Sequence, residues 1–222
     1  MKNILLVIIL LLNFSLKSQF AKPSLVTKKI VFDGNSLFQY GDDKLGMTRT
    51  PLTAYGLLPT PKRVYYNFSI GGRQTSTLTS EFDTKIAPYV NAGDMVILWE
   101  ITNSAHYRIG DNLGDTLYNE VVAYCNKAKS YGLSVYVVTG IPRYMTGFDD
   151  INITSRINAC NAKIRTNWAT FCDGIIDIAS TPTFSSTTSY TNTLIYEPDQ
   201  THLKNRGCDS VGYFIYRTIP KN

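Results

Sequence analysis

The chain has 222 residues, of which 44% are hydrophobic and 18% are charged, and its formal net charge is +5 at pH 7. This composition excludes an intrinsically disordered chain, and the length suits one domain with a sizeable core. The lysines and arginines are scattered along the chain and form no basic stripe, so nothing indicates nucleic-acid binding. We find no internal repeat and no interdomain linker.

The N-terminus predicts a signal peptide over residues 1–18. Lys2 precedes an apolar run over residues 4–12 that is too short to span a bilayer comfortably, and the small residue Ser18 follows as a cleavage site. The alternative is an uncleaved anchor. No cysteine follows the apolar run, which argues against a lipid-anchored lipoprotein. Removal of Lys2 and Lys17 lowers the net charge to +3.

Five short apolar runs predict buried strands, because each is rich in β-branched or aromatic residues and is bounded by polar, glycine or proline residues. These runs cover residues 30–32, 64–70, 95–99, 135–138 and 174–178.

Helices are predicted between the strands. Thr50-Pro51 opens a short helix that reaches about Leu58, and residues 100–114 after the third strand are predicted as a polar segment and loop. Apolar residues recur at helical spacing over residues 78–90, 117–128, 153–168 and 211–219.

This alternation of apolar strands and amphipathic helices predicts an α/β fold. We expect a single-domain three-layer α/β/α sandwich with a mostly parallel five-stranded sheet, as in flavodoxin-like proteins.

The four cysteines leave two interpretations open. In an exported chain, Cys125, Cys160, Cys172 and Cys208 could form disulfides in three pairings, among which the sequence does not choose. Three of them fall on apolar helical stripes, where a thiol packs as a small hydrophobic group. We favour buried thiols, and the absence of a C-x-x-C motif argues against a cysteine metal site.

Ser36 is the first candidate for a catalytic side chain. It follows the first strand and the dipeptide Gly34-Asn35, which permits a sharp turn. Ligands bind outside the carboxyl ends of parallel strands, so a serine at this place can act as a nucleophile. The alternative is that Asn35-Ser36 only caps a helix or closes a turn.

His202 is the candidate base, because the chain has only two histidines and Asp199 lies three residues before this one. We expect the two side chains to share one side of a helical turn, where a carboxylate can hold the imidazole in one tautomer. The alternative is an Asp that caps the last helix beside a surface histidine.

Together these segments resemble the SGNH/GDSL hydrolases, through four blocks in the family's order that cover nearly all of residues 19–222. Residues 34–37 (GNSL) match the block of the nucleophile, and residues 67–72 (NFSIGG) resemble the block whose glycine lines the oxyanion hole. Residues 101–104 (ITNS) match the block whose asparagine donates its amide. Asp199 and His202 fit the last block without departure.

The resemblance implies a role for each residue. Ser36 is the nucleophile, His202 the general base and Asp199 the acid that orients the ring. The oxyanion hole would consist of the backbone N–H groups of Ser36 and Gly72 and the side-chain amide of Asn103. Acyl transfer needs these three functions and no metal or organic cofactor.

Three positions depart from the family pattern. The family usually has Asp where Asn35 stands, and Gly and Asp where Ile101 and Ser104 stand, which leaves open how the Asn103 amide is held in place.

Glu100 ends a buried strand and has either a substrate-binding or an anchoring role. His106 is predicted to be a loop residue and not a second base.

The sequence therefore predicts a secreted or periplasmic serine esterase that hydrolyses an acyl ester, such as an acetyl ester on a carbohydrate. The alternatives are an acyltransferase with the same triad and a catalytically silent binding module on the same fold. The G-x-S-x-G motif of α/β-hydrolases is absent. We expect a small-molecule or carbohydrate ester as substrate, no nucleic-acid partner and no membrane attachment after signal cleavage. The oligomeric state, acyl chain length and substrate identity stay open.

Overall fold

The computed structural model describes residues 28–39, 49–58 and 64–221. The predicted signal peptide over residues 1–18 lies outside the described residues, as does most of the loop that follows Ser36. Within the described part of the chain, no helix is both long enough and apolar enough to cross a membrane.

Five parallel strands form the sheet, as predicted, in the order β2-β1-β3-β4-β5. Each strand except the edge strand β2 is almost entirely buried because both sheet faces are covered. The strands are β1 (Lys29–Gly34), β2 (Val64–Asn67), β3 (Met95–Trp99), β4 (Ser134–Val138) and β5 (Gly174–Ile176).

The α-helices range from 4 to 16 residues in length. They are α1 (Ser36–Gln39), α2 (Arg49–Gly56), α3 (Thr75–Lys85), α4 (Thr102–Tyr107), α5 (Asp115–Ser130), α6 (Ile153–Asn167) and α7 (Asn205–Thr218).

Two hydrophobic cores separate the sheet from its two helical layers. One core packs the side chains of α7 and α2 against one sheet face, and the other packs α3, α5 and α6 against the opposite face. This is the predicted three-layer α/β/α sandwich. The strand order is that of flavodoxin-like folds, in which ligands bind at the carboxyl edge of the sheet.

Several element boundaries differ from prediction. The helix predicted over residues 78–90 ends at Lys85, because Pro88 cannot continue it, and a 3-10 turn over Ala87–Tyr89 follows. The loop predicted over residues 100–114 contains the helix α4. The second and fifth strands are shorter than predicted, and the fifth gives way to a 3-10 turn at Ile178–Ser180.

The four cysteines are buried thiols, as favoured above from the apolar helical stripes that contain three of them. Burial is the main cause that raises the pKa of each thiol, to about 11 for Cys172 and Cys208 and further for Cys125 and Cys160. The thiolate is the reactive form, so these groups are held in an unreactive state.

Asp33 is a buried carboxyl group near the end of β1, three residues before Ser36. Its Oδ2 accepts a hydrogen bond of 2.6 Å from the Tyr124 hydroxyl, and its Oδ1 accepts one of 3.0 Å from the Gly34 N–H. Burial raises the pKa of Asp33 from 3.8 to about 6, against the opposing effect of these hydrogen bonds. Between about pH 4 and pH 6, the folded protein therefore binds a proton at Asp33 that the unfolded chain releases.

We expect Asp33→Asn to remove part of the pH dependence of stability. A pKa that is higher in the folded state gives stability below pH ~4 that is lost as the pH rises through about 6, an effect of ~3 kcal/mol for this shift. The amide can still bond Tyr124 and the Gly34 N–H. Urea unfolding of both proteins between these pH values measures the difference, and parallel pH profiles would contradict the prediction.

Candidate active site

Ser36 lies at the carboxyl end of β1, in the first turn of α1, with 7% of its surface exposed. The Asn35 carbonyl accepts hydrogen bonds from the Phe38 and Gln39 N–H groups, and the Asn35 side-chain oxygen accepts one of 2.9 Å from the Leu37 N–H. Asn35 therefore does cap a short helix, as the alternative interpretation held. This cap also fixes the backbone that carries the serine hydroxyl.

The structure brings Ser36, His202 and Asp199 together from opposite ends of the chain. Ser36 Oγ lies 2.8 Å from His202 Nε2, and His202 Nδ1 lies 2.5 Å from Asp199 Oδ2. Burial opposes ionisation of Asp199, but the hydrogen bonds from the His202 ring and from the His202 and Thr201 N–H groups lower the pKa of Asp199 overall. Asp199 is thus an ionised acceptor for the proton on Nδ1.

Asp199 and His202 lie in a non-helical turn, and not on the helical turn that the spacing predicted. Asp199 Oδ1 accepts the N–H groups of Thr201 and His202 at 3.0 and 2.9 Å, and Gln200 has a positive φ of 57°. The His202 carbonyl accepts a 2.8 Å hydrogen bond from the Glu197 N–H, which closes the loop before α7. The acid and the base therefore belong to one locally closed loop.

Gly71 and Gly72 form a turn against the serine. A Cβ added at Gly71 would lie 3.6 Å from Ser36 Cβ, and the Gly71 N–H donates to the Gln39 side chain. Gly72 has a φ of 80°, which favours glycine. Its N–H donates to no acceptor in the part of the chain that the structure describes. The predicted oxyanion donor therefore lies at the cleft, in a turn that also requires glycine.

The Asn103 side chain is held at both of its polar atoms. Its Nδ2 donates a 3.1 Å hydrogen bond to the Arg73 carbonyl, and its Oδ1 accepts one of 3.3 Å from Arg143 Nη1. An amide nitrogen has two hydrogens, so the second one stays available to a ligand in the cleft. These contacts answer how the amide is buttressed without the residues that the family pattern has at Ile101 and Ser104.

Arg143 is a residue of the site that sequence reasoning missed. Its guanidinium group is buried and forms two hydrogen bonds of 2.9 Å with the buried Asp149 carboxylate, in the bidentate geometry that arginine favours. It comes from the segment directly after β4, which ends at the same edge of the sheet as β1 and β3. That position after a predicted strand was the available signal.

His106 belongs to the neighbourhood of the cleft but contacts other partners. It lies on α4, not in the predicted loop, and its Nδ1 is 3.1 Å from Asp149 Oδ1. Its ring stacks on Phe148 at a centroid distance of 3.9 Å. Asp149 also accepts hydrogen bonds from the Arg143 guanidinium, so His106 contacts the carboxylate that holds Arg143 and is not itself part of the cleft lining.

Glu100 has an anchoring geometry. The side chain is completely buried, and Oε1 accepts hydrogen bonds from Asn35 Nδ2, the Asn103 N–H and the Ser104 N–H at 3.2, 2.8 and 3.2 Å. Oε2 accepts the Thr75 and Ser104 hydroxyls at 2.6 and 2.7 Å. Burial raises the pKa of Glu100, and these hydrogen bonds act in the opposite direction. The carboxylate caps α4 and so fixes Asn103.

These residues surround a cleft of about 310 Å³ at the carboxyl edge of the sheet. The cleft is lined by Ser36, Gly71, Gly72, Asn103, Arg143, Met145, Phe148, Thr201 and His202. No group of three or more His, Cys, Asp or Glu side chains among the described residues could hold a metal ion. The residues that line the cleft include a hydroxyl, an imidazole that is bonded to a carboxylate, and the three predicted oxyanion donors.

Comparisons with known proteins give matches at the level of structure. No protein-family model matches the sequence, and no curated protein matches it. Solved structures with a TM-score of 0.61 include a lipase/acylhydrolase from Enterococcus faecalis, with 16% identity over 88% of this chain and 99% of that chain. A GDSL-like lipase from Bacteroides thetaiotaomicron has the same TM-score and 16% identity, over 91% of this chain and 93% of that chain.

A third structure is a catalytic mutant of Axe2, an acetylxylan esterase from Geobacillus stearothermophilus. It shares 13% identity over 86% of this chain and 93% of that chain, with a TM-score of 0.61. At these identities the similarity shows a common fold, and the predicted resemblance is confirmed at that level.

We expect Asn35→Asp, the change toward the usual family residue, to impair this protein. The Asn35 amide donates to Glu100 Oε1 and, at 2.8 Å, to Thr102 Oγ1, so an aspartate would place two carboxyl groups together. Such a pair retains a proton, and stability then falls as the pH rises above the ordinary carboxyl range. Urea unfolding from about pH 5 to pH 8 should show that the free energy of unfolding falls by ~1–3 kcal/mol at the upper end. The kcat should fall over the same range.

Asn161→Asp is the matched control for this change. Asn161 is equally buried, and its amide bonds the Gly140 carbonyl and N–H instead of a carboxylate. The control should lose stability, while any ester hydrolysis by the folded protein should keep its kcat. Wild-type stability and kcat of Asn35→Asp at pH ~8 would show that Glu100 does not require an amide at position 35.

Proposed function

Starting from the fold of the SGNH/GDSL hydrolases, which this chain has, we propose that the protein is an exported serine esterase that hydrolyses a short acyl ester. The observation that carries the proposal is the pair of hydrogen bonds of 2.8 and 2.5 Å that link Ser36 to His202 and His202 to Asp199. The names of the structural neighbours, which include lipases and an acetylxylan esterase, support ester hydrolysis.

In the acylation step, Ser36 Oγ attacks the ester carbonyl carbon while His202 Nε2 takes the hydroxyl proton. Asp199 holds the ring with Nδ1 protonated and stabilises the imidazolium that forms. The carbonyl oxygen becomes an oxyanion. The bond between the carbonyl carbon and the alcohol oxygen then breaks as His202 gives the proton to the alcohol oxygen. The product of this step is an acyl ester of Ser36 and a free alcohol.

In the deacylation step, water replaces the alcohol. His202 takes a proton from the water molecule, whose oxygen attacks the acyl carbon. The bond between that carbon and Ser36 Oγ then breaks as His202 returns the proton to Oγ, which releases a carboxylic acid and restores the Ser36 hydroxyl. The oxyanion of both steps would be stabilised by the N–H groups of Ser36 and Gly72 and the free hydrogen of the Asn103 amide. Each such donor is worth ~10²–10³ in kcat.

Export is part of the proposal and is supported by the sequence of residues 1–18, with the signal peptide cleaved near Ser18. The mature chain over residues 19–222 would then act in the periplasm or outside the cell. The buried, unreactive thiols are compatible with such a compartment, because they do not need reducing conditions to stay as thiols.

We expect a fluorophosphonate probe to label the wild-type protein on Ser36 and to leave Ser36→Ala unlabelled. The variant should keep its circular dichroism spectrum and lose at least ~10³-fold in kcat on p-nitrophenyl acetate. Ser69→Ala is the matched control, because Ser69 is equally buried at 7% exposure and does not line the cleft. An unlabelled wild-type protein would identify a silent binding module instead.

We expect Asp199→Asn to lower kcat/KM by up to ~10⁴-fold, because an amide favours the wrong histidine tautomer. His202→Ala should lose at least as much, and the double variant should lose no more than the larger single loss, since the residues act as one unit. His106→Phe, which keeps the stack on Phe148, should lose less than ~tenfold. A strong loss at His106 with a mild loss at His202 would falsify the assignment of the base.

A further inference from the structure

A second groove lies next to the catalytic cleft and has no part in the mechanism above. Its volume is about 410 Å³, within the range of ~300–1,000 Å³ that small-molecule sites occupy. Two tyrosines, Tyr144 and Tyr190, line it together with Ile151, Thr154, Ser155, Thr187 and Thr188.

The groove adjoins the cleft through the chain itself. Tyr144 lies between Arg143 and Met145, which both line the cleft. The Tyr144 N–H donates a 3.2 Å hydrogen bond to the Gln200 carbonyl, in the loop between the acid and the base. The Thr154 hydroxyl donates one of 2.9 Å to the Arg143 carbonyl. One stretch of chain around Tyr144 therefore separates the groove from the cleft, on the side of the loop that carries His202.

The side chains of the groove combine aromatic faces with hydroxyl groups. The rings of Tyr144 and Tyr190 lie 6.1 Å apart at an angle of 37°. The hydroxyl groups of these tyrosines, Ser155 and Thr187 make no hydrogen bond to any described residue, so they are available to a ligand. None of the lining residues carries a charge.

This chemistry selects a class of ligand. An anionic or cationic molecule would find no charged partner on the lining, and an alkyl chain would remove several hydroxyl groups from water without replacing their hydrogen bonds. A neutral sugar ring has an apolar C–H face that packs on an aromatic ring and an edge of hydroxyl groups that can bond tyrosine, serine and threonine. The groove matches both surfaces.

We propose that the groove binds a neutral sugar unit of the substrate, so that the ester hydrolysed is an acylated carbohydrate. The inference rests on the proposed esterase function. The acyl group occupies the cleft beside Ser36, and the sugar hydroxyl oxygen is the leaving group that takes the proton from His202. The sugar is released with a free hydroxyl group, and water then releases the acid from Ser36.

Two substrates with the same acyl group test this inference. Tyr190→Ala and Tyr144→Ala should lower kcat/KM on acetylated xylotriose by about tenfold or more, mainly through KM, because ground-state and transition-state binding of the sugar are lost alike. On p-nitrophenyl acetate, which has no sugar, both variants should stay within about twofold of wild type. Tyr213→Ala, an exposed tyrosine on α7, is the matched control and should change neither value.

The outcomes separate the groove from the esterase. Equal losses on both substrates, unchanged values on acetylated xylotriose, or losses confined to p-nitrophenyl octanoate would overturn the groove's assignment to sugar. A wild-type protein that hydrolyses p-nitrophenyl acetate but not acetylated xylotriose or acetylated cellotriose would overturn it and leave the esterase proposal standing.

A direct binding measurement is independent of catalysis. NMR titration of Ser36→Ala with unacetylated xylotriose or cellotriose should show binding that Tyr190→Ala abolishes. If this binding depends on Tyr190 while the wild-type protein has no esterase activity, the sugar assignment of the groove is supported and the proposed function is rejected. Absence of binding to both sugars would reject the groove.

Discussion

The buried carboxylate of Glu100 is the interaction on which the rest of the site depends. A carboxylate without water is expensive unless its oxygens are satisfied, and here hydrogen bonds from three separate segments satisfy it. Asn35 precedes the serine, Thr75 begins α3 after the glycine turn, and Asn103 and Ser104 lie in α4. Segments that follow three strands are thereby tied to one buried carboxyl group. Glu100 therefore helps to fix the relative positions of Ser36 and Asn103, the proposed nucleophile and one of the proposed oxyanion donors.

A buried ion pair, Arg143–Asp149, also helps to hold Asn103 in place. The Arg143–Asp149 pair is fully covered, and its arginine holds the oxygen of the Asn103 amide while its aspartate holds His106. Glu100 therefore fixes the backbone of Asn103, and Arg143 fixes its side chain. A donor that is held at both levels needs little reorganisation when negative charge develops, which is the condition for electrostatic catalysis.

Most of the fold could be predicted because its strands are buried on both faces and read as continuous apolar runs. Sheet, strand number and helical layers all follow from that pattern. The pattern fails where an element is too short to show a period. The six residues of α4 are held by Glu100 capping their N-terminus, and no hydrophobic repeat marks them. Pro88 indicates that the third helix ends near Lys85, but the prediction followed the apolar spacing and extended the helix to residue 90.

The candidate site was predictable to the extent that its residues occur in short motifs. Ser36 and His202 were found in this way, and the structure brings them into contact. Arg143 was not found, because its link to Asn103 joins two strand ends and has no local pattern. Tyr144 and Tyr190 escaped for the same reason. Contacts between loops depend on the packing of the whole sheet edge, which no spacing along the chain encodes.

The buried thiols have a consequence for the order of events during maturation. A thiol that is shielded and has a raised pKa presents almost no thiolate, so neither oxidants nor foreign disulfides react with it once the cores have formed. An oxidising compartment can act on these cysteines only while the chain is still open. Under the proposed export, the redox state of the cysteines therefore depends on whether the cores form before the thiols react.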